Sequence, residues 1–333
     1  MKKFLDLLLA ATIIFAVGWG VYSLYKTTSS SITPSQPTPL RPLEKYTIEK
    51  LSQVQEQEGR IEIKETLEEE KDFTSYLFSF EFDPGFTGKQ MKKSTGQINI
   101  PNDNDSFPII IMLRGYVDQE IYETGIGTRK AGSVFAESGF ITIAPDFLGY
   151  AGSDKEAENI FEARFQTYTT VLSLIESLEQ IDEWDRKNVF LWGHSNGGQI
   201  ALTILEITRA NFPTTLWAPV SKPFPYSILY YTDEAEDKGK YLRRELGKFE
   251  DLYDTDLYSI DNYFDRINTA FQIHQGTADD AIPVEWSNEL VETLEQLDID
   301  VTYYKYEGAN HNLVPSWDTV VSRNLVFFKK HLK

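Results

Sequence analysis

One serine of this chain stands in a setting that can make its hydroxyl a nucleophile. Residues 193–197 carry the pattern G-x-S-x-G, with Ser195 at its centre. Residues 188–192, apolar apart from Asn188, indicate a buried strand before it, and residues 198–205 indicate a helix after it. This strand–turn–helix context favours an exposed nucleophile over an ordinary turn. The helix N-terminus would also direct N–H groups and a partial positive charge towards an oxyanion formed there.

A serine hydroxyl needs a base to take its proton, and the chain has four histidines. His194 adjoins the serine on a tight turn and would point elsewhere. His274 ends a predicted core strand, and His331 lies in the last three residues. His311 lies in a polar loop after the predicted strand 301–306, from which it can reach across the end of a sheet. His311 is therefore the candidate base.

An acid that orients this base is expected between the serine and the histidine in the chain. Asp279 and Asp280 meet that condition, since they follow the strand that ends at His274 and precede a predicted helix. Open α/β sheets place their sites just beyond the carboxyl ends of strands, where Ser195, Asp279 and His311 all lie. We assign the orienting role to Asp279 and a turn-supporting or helix-capping role to Asp280.

Several segments resemble one enzyme family: residues 192–198, 276–283, 308–311, 185–189 and 144–150. The first three resemble the triad segments of the α/β-hydrolase superfamily and, within it, the catalytic domains of the prolyl oligopeptidase family. The last two are similar to that family as well, and the resemblance covers about residues 73–333. It implies a mostly parallel central sheet with helices on both faces and acyl transfer through Ser195, Asp279 and His311.

The chain departs from this family after the predicted strand 109–113, which is followed by Arg114. Relatives often carry a tyrosine-containing or His-Gly segment there, and the tyrosine hydroxyl can assist the oxyanion. Arg114 cannot copy that role. Backbone donors depend little on side chains, so we expect the oxyanion hole to consist of the N–H groups of Tyr116 and Asn196.

The hydrophobic pattern predicts a sheet that fits this interpretation. Antiparallel lead-in strands are predicted at residues 60–64, 74–82 and 96–100. Central strands are predicted at residues 109–113, 140–144, 188–192, 214–217, 270–274 and 301–306. Helical patterns between the central strands predict parallel pairing through right-handed crossovers, and one long helix is expected from about Glu156.

Residues 221–266 break this alternation and predict a small inserted cap. The cap contains seven tyrosines, which either line a substrate pocket or pack the cap itself: Tyr226, Tyr230, Tyr231, Tyr241, Tyr253, Tyr258 and Tyr263. Three nearby aspartates, Asp251, Asp254 and Asp256, lack the glycine and terminal glutamate of a calcium-binding loop. We therefore predict no metal site, and no cofactor, since no phosphate-binding or dinucleotide fingerprint occurs.

The first 26 residues have the composition of a membrane anchor. Lys2 and Lys3 precede residues 7–25, which carry no charge and would span ~28 Å as a helix, close to the ~30 Å hydrocarbon core. The lysines predict a cytoplasmic N-terminus with the remaining chain outside. Residues 16–18, Ala-Val-Gly, could serve as a signal-peptidase site. We favour an uncleaved signal anchor over a removed signal peptide, because the apolar run continues past these residues.

Residues 27–44 form a Ser/Thr/Pro-rich linker, and residues 45–333 would form the hydrolase domain with its cap. The chain has no cysteine, so it has no disulfide, and its net charge of −19 argues against binding nucleic acid. We expect a membrane-anchored, extracytoplasmic serine hydrolase, and the resemblance favours a peptidase acting on short peptides. The alternative is a carboxylesterase acting on small or carbohydrate-linked esters. A binding protein that keeps the fold without turnover is a third interpretation, which the complete Ser–Asp–His set disfavours.

Overall fold

One sheet of nine strands organises the described part of the chain. A computed structural model of the protein describes residues 40–54, 58–103, 105–232 and 235–333. The strands are β1 (Arg60–Glu69), β2 (Phe73–Phe82), β3 (Lys92–Pro101), β4 (Phe107–Leu113), β5 (Ile141–Pro145), β6 (Trp184–His194), β7 (Thr214–Trp217), β8 (Phe271–Gly276) and β9 (Val301–Tyr306). Their order across the sheet is β1-β2-β3-β5-β4-β6-β7-β8-β9. The mostly parallel central sheet predicted from the sequence is therefore confirmed.

Pairing directions divide this sheet into two parts. β1, β2 and β3 pair antiparallel with one another, and β3 pairs antiparallel with β5. All pairs from β5 through β4, β6, β7 and β8 to β9 are parallel. The carboxyl ends of these six strands consequently meet at one edge, which is where ligands bind in open α/β sheets.

Helices precede, connect and follow the strands in the described part of the chain. They are α1 (Ile48–Leu51), α2 (Arg129–Glu137), α3 (Ile160–Glu176), α4 (Asn196–Thr208), α5 (Tyr226–Leu229), α6 (Lys240–Glu250), α7 (Val284–Gln296) and α8 (Trp317–Lys330). Short 3₁₀ turns supplement them at Glu44–Tyr46, Gln119–Ile121, Leu178–Gln180, Thr255–Tyr258, Ile260–Asn262 and Phe264–Arg266.

Alternate residues of the central strands enter cores on opposite faces of the sheet, because side chains alternate along a strand. In β4, Ile109 and Ile111 join the core that contains α3 and α4 residues. Ile110 and Met112 join a second core, with Phe135 of α2 and the end of α8. Strands covered on both faces read as continuous apolar runs, as β4 and β5 do. The expected helices on both faces are thus confirmed.

The predicted long helix begins four residues later than expected, at Ile160 instead of Glu156. The cause is local, because Asn159 forms the N-cap. Its side-chain oxygen accepts hydrogen bonds from the amides of Phe161 and Glu162, at 3.0 and 3.1 Å. Residues 155–159 are left as a loop, and this loop borders the site described below.

The described part of the segment between β7 and β8, predicted as a cap, contains α5, α6 and the 3₁₀ turns Thr255–Tyr258, Ile260–Asn262 and Phe264–Arg266. Some of its tyrosines pack within the fold, since Tyr258 stacks on Phe165 of α3 with ring centroids 4.8 Å apart. Tyr226 and Tyr230 contact Trp286 of α7 instead. None of the seven tyrosines of this segment lines the cavity of about 640 Å³ beside Ser195, which is described below.

The predicted membrane anchor and most of the linker lie outside the described residues. Among the helices in residues 40–54, 58–103, 105–232 and 235–333, none combines the length and apolarity needed to cross a membrane. The residues from Pro42 to Lys333 form one compact unit.

Candidate active site

Ser195 stands in a strained turn between β6 and α4. Its backbone angles are φ 56° and ψ −121°, a conformation that non-glycine residues rarely adopt. Two long-range hydrogen bonds hold it there: the Ser195 amide donates to Trp217 O, and the Val220 amide donates to Ser195 O, both at 2.9 Å. The turn is thereby fixed to the segment that follows β7, and the serine is presented at the carboxyl edge of the sheet.

The two glycines of the motif are required by close backbone approach. A Cβ atom on Gly197 would lie 1.8 Å from the Leu113 carbonyl oxygen at the end of β4. A Cβ atom on Gly193 would lie 2.7 Å from the Gly197 carbonyl oxygen. The helix can therefore pack this closely behind the serine only when both positions lack a side chain.

Asp279 and His311 meet in a hydrogen bond at the ends of β8 and β9. The last residues of these parallel strands, Gly276 and Tyr306, are paired in register, so the two following loops start side by side. His311 Nδ1 lies 3.1 Å from Asp279 Oδ1 and 3.0 Å from Oδ2. The side chain of Asp279 is fully buried and that of His311 is 19% exposed.

Further donors hold the Asp279 carboxylate in place. Oδ1 accepts from the amides of Ala281 and Ile282, at 2.9 and 2.8 Å, and Oδ2 accepts from Gln275 Nε2 at 2.9 Å. Burial acts to raise the pKa of Asp279, but hydrogen bonds from His311 and these two amides outweigh it and lower the pKa. The group is therefore held ionised, and it keeps the proton of the neighbouring imidazole on Nδ1.

His194 also contacts His311, which sequence reasoning missed. His194 Nε2 donates to the His311 carbonyl oxygen at 3.0 Å, and the two rings lie 4.7 Å apart between centroids. Burial, followed by the charge of His311, lowers the pKa of His194 to about 4. A neutral His194 thus links the serine turn to the histidine loop. Among the described residues, Ser195 Oγ and His311 Nε2 share no hydrogen bond.

The two remaining histidines, His274 and His331, make contacts within the fold. His274 is buried inside β8, two residues before the end of the strand rather than at its end as predicted. Its nitrogens contact Tyr306 Oη at 2.7 Å and Gln272 Oε1 at 2.9 Å. Burial lowers the pKa of His274 to about 3, with a smaller contribution from Arg323. His331 follows α8 and packs against Phe327, with ring centroids 4.6 Å apart.

The loop after β4 passes directly beside Ser195. A Cβ atom on Gly115 would lie 3.0 Å from Ser195 Cβ, so this loop touches the serine. Tyr116 follows it, and its side chain is 74% exposed while its hydroxyl donates to Asp118 Oδ1 at 2.8 Å. Asn196 is the first residue of α4, so its amide has no acceptor within the helix.

A cavity of about 640 Å³ opens between the loop after β4, the loop after β5 and helix α3. Tyr116 and Asn196 line it, together with Arg114 and Arg164. Its size suits a small-molecule substrate group. In the described part of the chain, no group of three or more His, Asp or Glu side chains is arranged to hold a metal ion.

The fold resembles known hydrolase structures. It aligns with acetyl xylan esterase 1 from Thermoanaerobacterium sp. JW/SL YS485 at a TM-score of 0.61 and 14% identity, over 88% of this chain and 95% of that chain. The acetyl xylan esterase from Paenibacillus sp. R4 gives 0.64 and 16%, over 86% and 92%. Dipeptidyl peptidase 4 from Porphyromonas gingivalis gives 0.51 and 15%, over 82% of this chain and 35% of that chain.

Sequence comparison assigns the family. No functionally curated protein matches the sequence. The family model described as "Prolyl oligopeptidase family" matches residues 128–333, more than half of the chain, and this range contains Ser195, Asp279 and His311. The chain therefore belongs to the prolyl oligopeptidase family, within the α/β-hydrolases, and is a serine hydrolase.

Proposed function

We propose that Ser195, His311 and Asp279 form the catalytic triad of this serine hydrolase. The observation that carries the proposal is the hydrogen bond between buried Asp279 and His311 Nδ1, at the same sheet edge as the strained Ser195 turn. With Nδ1 bound to the carboxylate, Nε2 is the imidazole nitrogen that remains to accept a proton. This division of roles is the one that activates a serine hydroxyl.

In the proposed acylation step, Ser195 Oγ attacks the carbonyl carbon of the substrate while His311 Nε2 takes the hydroxyl proton. The carbonyl oxygen becomes an oxyanion, which receives hydrogen bonds from the amides of Tyr116 and Asn196. The partial positive charge at the α4 N-terminus stabilises the same negative charge. His311 then returns the proton to the leaving group, and the acyl group remains on Ser195.

In the deacylation step, a water molecule takes the place of the leaving group beside His311. The imidazole removes a proton from this water as its oxygen attacks the acyl carbon. The second tetrahedral intermediate uses the same two amides. Collapse of the intermediate returns the proton to Ser195 Oγ and releases the carboxylic acid, so no cofactor takes part.

For the substrate, we propose short peptides cleaved by a peptidase activity, which the membership in the prolyl oligopeptidase family supports. A second candidate is a carboxylesterase activity on small or carbohydrate-linked acyl esters. It is supported by the two acetyl xylan esterases, whose chains align with this one over 92% or more of their length.

The triad is tested by active-site labelling. A fluorophosphonate should label the wild-type protein at one serine and should not label Ser195→Ala, because the probe reacts only with an activated nucleophile. Turnover of a 4-nitrophenyl ester should fall by roughly 10⁶-fold in kcat for the same variant. Labelling of Ser195→Ala at another serine, with turnover retained, would reject Ser195.

The substrate class is tested with a panel of aminoacyl and dipeptidyl amides beside short acyl esters. Esters are intrinsically easier to cleave, so ester turnover alone does not decide the class. Amide hydrolysis with a kcat/KM within about two decades of the best ester would support the peptidase. The absence of amide hydrolysis across the panel would support the esterase.

A further inference from the structure

The charged side chains that line the cavity beside Ser195 differ in their exposure to solvent. Arg114 is only 5% exposed and Arg164 is half-buried, and both line the cavity. The acidic lining residues, Glu156 and Glu158, are exposed at its edge together with Lys155. The least exposed charged side chains that line the cavity are therefore two arginines, in a chain whose net charge is −19.

The charge of Arg114 has a compensating partner within the fold. Its guanidinium lies 4.0 Å from the ring centroid of Tyr150 and 4.4 Å from that of Tyr122, and it donates to the Asp146 carbonyl oxygen at 2.9 Å. The fully buried Asp146 carboxylate accepts from the Tyr122 hydroxyl at 2.8 Å, so a negative charge lies close by. Arg114 is accordingly held by local structure.

Arg164 has no such partner. Within the described residues it forms no ion pair, and its guanidinium donates only to neutral amide oxygens, those of Gln199 and, at 3.4 Å, Asn196. Both acceptors belong to the first turns of α4, whose N-terminus already carries a partial positive charge. A partly desolvated cation without a counter-ion is costly, and a bound anion would offset that cost.

The sheet order indicates which part of a substrate enters this cavity. The cavity is built by the loops after β4 and β5, on one side of the Ser195 turn after β6. His311 and Asp279 follow β9 and β8, on the opposite side. His311 must protonate the leaving group, so the leaving group lies on the His311 side and the acyl group lies on the cavity side.

We infer that this cavity binds an acyl group bearing a carboxylate, with Arg164 as its counter-ion. The inference rests on the proposed function, because it takes Ser195 and His311 as the reacting groups. It narrows the substrate class to esters or amides of acids that carry a second negative charge. Arg164 acts in substrate recognition, since a guanidinium can bind a carboxylate through two parallel hydrogen bonds.

The test compares two esters with one leaving group. The 4-nitrophenyl monoester of glutaric acid carries the second carboxylate, and 4-nitrophenyl pentanoate has the same acyl length without it. Rates are corrected with Ser195→Ala, because a neighbouring carboxylate accelerates spontaneous ester hydrolysis. The wild-type protein should show a higher kcat/KM for the glutarate ester, and glutarate itself should inhibit turnover of the pentanoate ester.

Removing the guanidinium should change the ratio of the two kcat/KM values. In Arg164→Gln the glutarate-to-pentanoate ratio should fall roughly tenfold to hundredfold, the size of a charge-assisted hydrogen bond. Arg164→Lys, which keeps the charge but loses the planar fork, should retain part of the preference. The matched control is Arg186→Gln, which removes an exposed arginine at the start of β6 and should keep the wild-type ratio.

The outcomes separate the two proposals. If Arg164→Gln slows both esters equally, or if the wild type hydrolyses the pentanoate ester equally well or better, the carboxylate site is wrong while the hydrolase stands. The carboxylate site would also be wrong if the glutarate-to-pentanoate ratio fell as far in Arg186→Gln as in Arg164→Gln. The preference would then depend on the net charge of the protein and not on Arg164. If the wild type hydrolyses neither ester and no amide faster than Ser195→Ala does, the proposed function itself fails.

Discussion

Asp279 and Asp280 are adjacent in the chain, yet their carboxylates have different surroundings. Asp279 is hydrogen-bonded to His311 and to two backbone amides, whereas Asp280 is exposed. Successive residues on a turn point in different directions, so only one carboxylate reaches the imidazole. The two aspartates have the same chemistry, and the geometry of the turn determines which of them contacts the imidazole.

We therefore predict that Asp279→Asn lowers kcat by on the order of 10⁴, because the amide no longer fixes the imidazole with its proton on Nδ1. Asp280→Asn should retain nearly wild-type kcat and serves as the matched control. Steady-state kinetics on one ester, with a thermal melt of each variant, would measure the difference. A loss of several decades in folded Asp280→Asn would show that the assignment of the two aspartates is reversed.

At the scale of elements, the β6–α4 connection depends on steric contacts that a sequence motif only implies. A Cβ atom at position 197 would overlap the Leu113 carbonyl oxygen of the neighbouring strand. By contrast, a Cβ atom on Gly247 inside α6 would meet nothing within 4 Å. The two glycines therefore have opposite consequences for stability.

Gly197→Ala should lower the free energy of unfolding by about 3 kcal/mol or more, because the backbone of β4 or α4 must move. Gly247→Ala should raise the free energy of unfolding by about 0.5–1 kcal/mol, since alanine is the better helix former. Urea unfolding of the two variants would measure both effects. Equal, small changes in the free energy of unfolding of the two variants would contradict the close packing of the serine turn against the end of β4.

Helix α4 also carries a buried carboxylic acid, Glu206, with neither oxygen hydrogen-bonded to a described residue. Burial, reinforced by Asp261, raises the pKa of Glu206 well above its ordinary value of 4.5. The folded state therefore keeps a proton that the unfolded state loses. The resulting contribution to stability is fully present below the ordinary pKa and is lost as pH rises through the raised one.

Glu206→Gln should remove this dependence, because the amide is neutral at every pH and has a similar shape. The variant should be more stable than the wild type near pH 8, and the difference should shrink as the pH falls towards about 4.5. Above its ordinary pKa the wild type loses up to about 1.4 kcal/mol per pH unit from this group. Urea unfolding across this range would measure it, and parallel curves would contradict the assignment.

At the scale of the whole molecule, the residues from Pro42 on form one compact unit that contains the complete candidate site. The membrane anchor predicted for residues 1–26 lies outside the described residues and stays a prediction. If this prediction is correct, the anchor can be removed without loss of the catalytic unit, because every residue of the candidate site lies within residues 42–333.

Deleting residues 1–26 should yield a soluble protein with the kcat/KM of the full-length enzyme on a 4-nitrophenyl ester. The full-length protein should fractionate with membranes and resist carbonate extraction, as an embedded helix does. Protease added outside the cytoplasmic membrane should cut within residues 27–44. Release of the full-length protein by carbonate would contradict the anchor, and protection of the linker would contradict the orientation.

The sequence by itself determined the features that depend on neighbouring residues. Strands β7 and β9 begin and end where the residue pattern predicts, because runs rich in β-branched and aromatic residues identify strands. The G-x-S-x-G pattern predicted the Ser195 turn, since the sterics of a tight turn act within a few residues. The start of α3 was misplaced by four residues, because the capping side chain of Asn159 sets it at Ile160.

Only the tertiary structure decided which distant residues meet. The contact of His194 with His311 spans 117 positions, and the bonds of Arg164 to α4 span 32 and 35. No periodicity encodes such contacts, because they depend on strand register and on how helices pack against the sheet. The sequence therefore identified the candidate nucleophile, base and acid, while the folded chain placed the cavity on the side of Ser195 away from His311.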